Sequence, residues 1–135
     1  MSNIIDVIKR LPNCIIGKKI DDKLIKITEN ELGLEFSKSY KDYLKEFGHI
    51  SFGGTEITGI TNNNYNDVVH LTQKLRKRDE DLDKNYYVVE DLASDGIYML
   101  SDKTDKVFVY YNGEVKVKYK SFVDYINANI NVSNE

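Results

Sequence analysis

Val107-Phe108-Val109-Tyr110-Tyr111-Asn112-Gly113-Glu114-Val115-Lys116-Val117-Lys118-Tyr119 is a pair of β-prone runs joined by Asn-Gly. A two-residue hairpin turn of type I′ needs positive φ at both central positions, and asparagine followed by glycine meets that need at least cost. With Asn112-Gly113 as the turn, Tyr111 faces Glu114, Tyr110 faces Val115 and Phe108 faces Val117. Alternation then puts Phe108, Tyr110, Val115 and Val117 on one face, the expected core face, and leaves Val109 and Tyr111 beside Lys116 and Lys118 on a partly wet one.

Two further β-prone runs precede this hairpin, Tyr86 to Val89 and Ile97 to Leu100, separated by Asp95-Gly96. A shorter piece, Ile50 to Phe52, turns at Gly53-Gly54 into Thr55 to Ile60. Helical spacing governs the rest. Ile4, Val7, Ile8 and Leu11 form one stripe after a possible Ser2 cap and before Pro12, and Leu24, Ile25, Ile27 and Leu32 form a second that ends at Gly33. Ser37 caps a third helix with Tyr40, Tyr43, Leu44 and Phe47 on its stripe and Gly48 beyond it. Val68, Leu71 and Leu75 mark a fourth, and Ser121-Phe122-Val123-Asp124 opens a fifth with Phe122, Tyr125 and Ile126 inward. The fold class is therefore α+β. We expect one domain over residues 1–135, with a largely antiparallel sheet of four to six strands packed by N-terminal, central and C-terminal helices and a frayed tail over 131–135.

Composition sets the function classes. With 41% hydrophobic and 30% charged residues, the chain carries enough apolar surface for a core, so disorder is not indicated. No apolar run nears the ~20 residues of a spanning helix, and no basic n-region precedes an apolar stretch, so a cytoplasmic protein is expected. A net charge of −3 argues against the basic footprint of a nucleic-acid binder and suits a basic partner. Cys14 is the only cysteine, which excludes an internal disulfide and reads as a small core filler.

Candidate chemistry is sparse. His49 and His70 lack the spacing that puts two metal ligands on one helix face, and Gly53-Gly54 with Gly59 do not form a phosphate loop; those glycines read as turn and bulge positions. Asp102 and Asp105 lack the further ligands of a calcium loop. Carboxylates are many, Asp79, Glu80, Asp81, Glu90, Asp91 and Asp95 among them, but none is paired by spacing as an acid and a base. No catalytic, cofactor or metal residue is expected. Ten tyrosines against five phenylalanines fit interface use, since tyrosine gives contact area at low entropy cost. The expected partner-binding residues are Glu90, Asp91 and Asp95 around the first sheet turn, with Tyr111 as an aromatic neighbour.

The run from Glu31-Leu32-Gly33-Leu34-Glu35-Phe36-Ser37 through Tyr40, Tyr43, Leu44 and Phe47-Gly48 resembles the opening of the SUKH superfamily, the Smi/Knr-like domains. Gly53-Gly54-Thr55 to Ile60 is similar to that family's glycine-bounded strand, Asp67-Val68-Val69 to its next helix start, Asp95-Gly96-Ile97 to Leu100 to its central hairpin and Ser121 to Ile126 to its closing helix. One departure is Phe36-Ser37 in place of the family's Leu-Pro, a mild change because serine caps a helix where proline begins one. The resemblance implies a noncatalytic bacterial immunity protein that binds and neutralises a cognate toxin, often a nuclease, encoded by an adjacent gene. A second reading is an intracellular regulatory or scaffold module of the same fold, and a third, a small hydrolase using scattered carboxylates.

Overall fold

The computed structural model describes residues 3–92 and 96–133, the last three by their backbone alone. Its elements run α1 (Ile4–Lys9), β1 (Ile15–Ile16), α2 (Asp22–Leu32), α3 (Lys38–Phe47), β2 (Ile50–Phe52), β3 (Thr55–Ile57), α4 (Val68–Arg78), β4 (Tyr87–Asp91), β5 (Tyr98–Ser101), β6 (Val107–Tyr111), β7 (Glu114–Tyr119) and α5 (Phe122–Ser133). The class is α+β, as expected.

Each long helix starts where a short polar side chain can accept from its orphan N–H groups. Asp21 accepts from Leu24, Ser37 from Tyr40 and Asp67 from His70, while Ser121 accepts from Asp124 at 3.1 Å. Asn3 caps α1 by accepting from Ile5 at 2.8 Å; Ser2, the cap read from the sequence, lies outside the described residues. Gly33 closes α2 at φ 67°, and the buried Glu29 carboxylate then accepts from the Phe36 N–H at 2.8 Å, fixing the short link into α3. Helix α5 runs to Ser133, into the segment read as a frayed tail.

The strands form two antiparallel sheets, in order β1-β2-β3 and β4-β5-β6-β7, seven strands where four to six in one sheet were expected. The β6–β7 register is the one the turn dictates: Tyr111 opposite Glu114, Tyr110 opposite Val115 and Phe108 opposite Val117, with Asn112 at φ 52° and Gly113 at φ 87°. Burial corrects the rest of that reading. The larger sheet is covered on both faces. Tyr87, Val89, Met99 and Val107 enter the main core with the α1, α2, α3 and α5 stripes, and Val88, Tyr98, Leu100, Phe108 and Tyr110 pack with Leu71 and Leu75 of α4 in a second cluster. Val109 therefore packs against the main core. Val117, expected in the core, is 59% exposed, because β7 is the sheet edge and lies beyond the cover of α4.

The two sheets are joined through Thr58, which is 1% exposed. Its N–H donates to the Val89 carbonyl at 2.9 Å and its hydroxyl to the Val88 carbonyl at 2.8 Å. The hydroxyl proton is then spent, so at 2.9 Å the Tyr40 hydroxyl must donate to Thr58 Oγ1, and the Tyr43 hydroxyl donates to the Thr58 carbonyl at 2.8 Å. Every polar atom of Thr58 is used, and α3, β3 and β4 meet there. Beside it, Gly59 is neither turn nor bulge: a Cβ there would stand 1.7 Å from the Gly48 carbonyl oxygen, so glycine allows the two backbones to touch.

Two stability outcomes follow from this packing. Thr58→Val, which removes the donor to the Val88 carbonyl and leaves the Tyr40 hydroxyl only its longer bond to the residue-58 carbonyl at 3.2 Å, is expected to cost about 1–3 kcal/mol, and Tyr43→Phe about 1–2 kcal/mol. Phe108→Ala should cost about 3–5 kcal/mol through the cavity it leaves, and Val117→Ala under about 0.5 kcal/mol. Denaturant unfolding of the four variants measures all of these; a Val117→Ala loss equal to that of Phe108→Ala would refute the edge assignment.

Candidate protein-binding surface

Beyond the helices, the main-core face of the larger sheet opens to solvent at the end carrying the β6–β7 turn. Glu90, Met99, Val109 and Lys116 stand in one cross-strand row there, and Tyr111 follows Val109 on the same face by alternation. Exposure grows from Met99 toward the β7 edge. Glu90 is 7% exposed and Met99 3%, Val109 is half-buried, and Lys116 lies open in an ion pair with Glu114 at 3.6 Å.

Glu90 owes its place to a bulge. Val88 pairs with Leu100 but Glu90 pairs with Met99, so the extra residue re-aims Glu90 from the α4 side to the main-core side. Burial pushes its carboxyl from the ordinary value near 4.5 up to about 7, with the charges of Asp91 and Glu56 adding to the rise. Glu56, on β3, is held by the Asn66 side-chain amide at 3.2 Å, and the fully buried Asn66 is itself held by the Thr61 hydroxyl at 2.7 Å.

The expected partner-binding residues are thus divided. Glu90 is buried rather than an exposed turn acid. Asp91 pairs with Tyr98 and so projects on the α4 side, half-buried. Tyr111 is 54% exposed on the Glu90 side, roughly 12 Å from Glu90 across two strand spacings and two residues along β6. Asp95 lies outside the described residues. The tyrosine excess is mostly core: Tyr40, Tyr43, Tyr87, Tyr98, Tyr110 and Tyr125 are buried, and Tyr65 and Tyr111 are the two largely exposed ones among the described residues.

A second surface escaped the sequence reading. Ile15 and Ile16 on edge strand β1 are 66% and 54% exposed, and Leu24 and Ile27, read as part of the apolar stripe of α2, also face outward. Ile16, Ile20, Leu24, His49 and Ile60 line a groove of about 630 Å³ beside that edge. The paired isoleucines between Pro12 and Gly17 were the available signal, too short for any periodicity to register.

Chemistry finds few tools here. Among the described residues no three histidine, cysteine, aspartate or glutamate side chains come together to hold a metal, His70 is exposed, and His49 packs over Gly17. Cys14 is half-buried against the main core, its thiol pushed up by burial. No helix among the described residues is long and apolar enough to cross a membrane.

Residues 1–131 are matched by the family described as SUKH_5, SMI1-KNR4 cell-wall. The chain belongs to this SUKH family. No curated protein matches it. In the SUKH chain the family-like segments carry structural duties: Gly33 and Gly48 end α2 and α3, Ser37 caps α3, and Gly59 permits the approach to Gly48.

The Glu90 carboxyl makes a prediction with a definite sign. Its folded value is raised above its unfolded one, so stability falls as pH rises from about 4.5 and levels off above about 7, where the buried charge is fully present. Glu90→Gln removes that charge. Thermal melts should show the variant gaining on the order of 1 kcal/mol over wild type at pH 8 and little at pH 5; an equal difference at both pH values would contradict the assignment.

Proposed function

We propose that this SUKH chain is an immunity protein that binds a cognate bacterial toxin, encoded by an adjacent gene, and holds it inactive by stoichiometric contact. Membership of the SUKH family over residues 1–131 carries the reading, through what the sequence resemblance implies for that superfamily. The fold supports it physically, since Glu90 and the exposed Tyr111 lie on one face of the larger sheet, toward the end that carries the β6–β7 turn. The toxin is of a basic, nuclease-like type, and the contact region is the end of the larger sheet that carries the β6–β7 turn, with Tyr111 as aromatic anchor on the Glu90 face, Asp91 on the other face of the same end, and Asp95, outside the described residues, as a further acid for encounter. Protection at low toxin concentration needs nanomolar affinity, about −12 kcal/mol, which an interface of about 1,600 Å² can supply when an aromatic anchor is desolvated.

The second reading, a regulatory or scaffold module of the same fold, draws on a different observation: Ile15, Ile16, Leu24 and Ile27 are exposed apolar side chains of β1 and α2, and Ile16 and Leu24 line one groove. Co-expression separates the two. The wild-type chain should restore growth to cells producing the adjacent toxin. Asp91→Lys and Asp95→Lys with Tyr111→Ala should weaken rescue while the fold persists by circular dichroism. No rescue by wild type ends the immunity reading, and full rescue by the triple variant moves the contact region elsewhere.

A further inference from the structure

The smaller sheet leaves a core row unfinished. Ile57, Ile50 and Ile16 stand side by side across β3, β2 and β1; the first two are 0% exposed, and Ile16, on the outermost strand, is 54% exposed. With Ile20, Leu24 and Ile60 it lines the groove of about 630 Å³. The main chain is open at the same place. The Gly17 N–H turns inward to the His49 carbonyl at 2.9 Å, and successive N–H groups of a strand point to opposite sides, so the N–H and carbonyl of Ile16 turn outward, away from β2. Because β3 is tied to β4 at Thr58, the sheets run in series, and among the described residues β1 and β7 are their two outer edges. Lysines commonly guard such edges against further strands. Strand β7 carries Lys116 and Lys118, whereas Cys14-Ile15-Ile16-Gly17 carries no charge.

We propose that β1 pairs antiparallel with β1 of a second copy of this chain, about a two-fold axis at Ile16. Each Ile16 then donates its outward N–H to the other's carbonyl, and the two smaller sheets become one. The second copy's Ile16 falls on the face of the Ile57-Ile50-Ile16 row and enters the groove beside it, against Ile20 and Leu24. One register satisfies main chain and side chain together. In it Ile15 stands across from the second copy's Gly17, where the absent Cβ leaves room, and Lys18 stands across from Cys14, so no like charges meet across the pair. The edge is thus self-complementary, and the residue that fills the groove is the residue that lines it, which favours a second copy over an unrelated strand. A two-fold pairing of β7 at its own exposed Val117 sets Lys116 against Lys118 and is disfavoured. The contact is short, so its dissociation constant belongs on the order of 10 µM. It uses none of the residues proposed above for toxin contact and is independent of that reading.

Sedimentation equilibrium of the full chain tests the pairing. The mass should rise from the 15.6 kDa of one chain toward twice that value as concentration climbs through about 1–500 µM. Ile16→Lys, which places an unpaired charge at the axis, should weaken association at least about tenfold while the urea midpoint of the dilute protein stays in place, and Val117→Lys should leave association unchanged. A wild type that stays monomeric at about 500 µM overturns the proposal, and so does association that Ile16→Lys leaves intact. The register has a readout of its own. In a Cys14→Ser background, Ile16→Cys sets two cysteines across the axis at about 5.5 Å between Cα atoms, within disulfide reach. Mild oxidation should cross-link that variant into a dimer and leave Tyr65→Cys, exposed elsewhere on the surface, monomeric. Equal cross-linking of the two overturns the register at Ile16.

Discussion

Thr58 is the residue on which the rest of the structure hangs. Strands alone leave the chain as two sheets, three-stranded and four-stranded, with no ladder between them. Four hydrogen bonds at one buried threonine supply the join, and two of the donors are tyrosines of α3 whose rings lie in the center of the aromatic core, 4.9 Å from Tyr87 and 5.5 Å from Phe122 between centroids. Burial raises the pKa of both tyrosine hydroxyls well above the ordinary value, so they remain neutral donors at any physiological pH. The arrangement locates α3 against β4, and β4 continues two residues past the Val88 and Val89 carbonyls to present Glu90 and Asp91. Scaffold and candidate surface are consecutive parts of one strand.

Local chemistry was legible in the sequence, and long-range chemistry was not. Asn112-Gly113 gave the β6–β7 register, and Ser37 and Gly33 gave helix ends, because each acts on atoms a few residues away. The burial of Val117 was misread for a reason alternation cannot express: the face was right, but β7 is an edge that no helix reaches. Val109 was misread for the converse reason, since a sheet covered on both faces has no wet side in its middle strands. Strand β1, two residues long, carries too little pattern to be read at all.

The candidate surface shows the same division. Tyr111 next to the turn is exposed, as its place in the hairpin requires. Glu90 reads in sequence as one more acid before a turn, and its burial depends on a bulge and on Glu56, 34 positions earlier in the chain. Tyrosine count misled because a hydroxyl serves a buried junction as well as a wet rim; Tyr40, Tyr43 and Tyr87 all spend theirs on hydrogen bonds inside the protein. The strained group and the exposed ring nevertheless share one face, and that coincidence is what the functional account builds on.

Calorimetry of the purified chain with the adjacent gene's toxin domain tests this account most directly. It yields affinity and stoichiometry in one experiment. The account predicts a one-to-one complex of nanomolar affinity. Binding at another stoichiometry, or no binding, would contradict it.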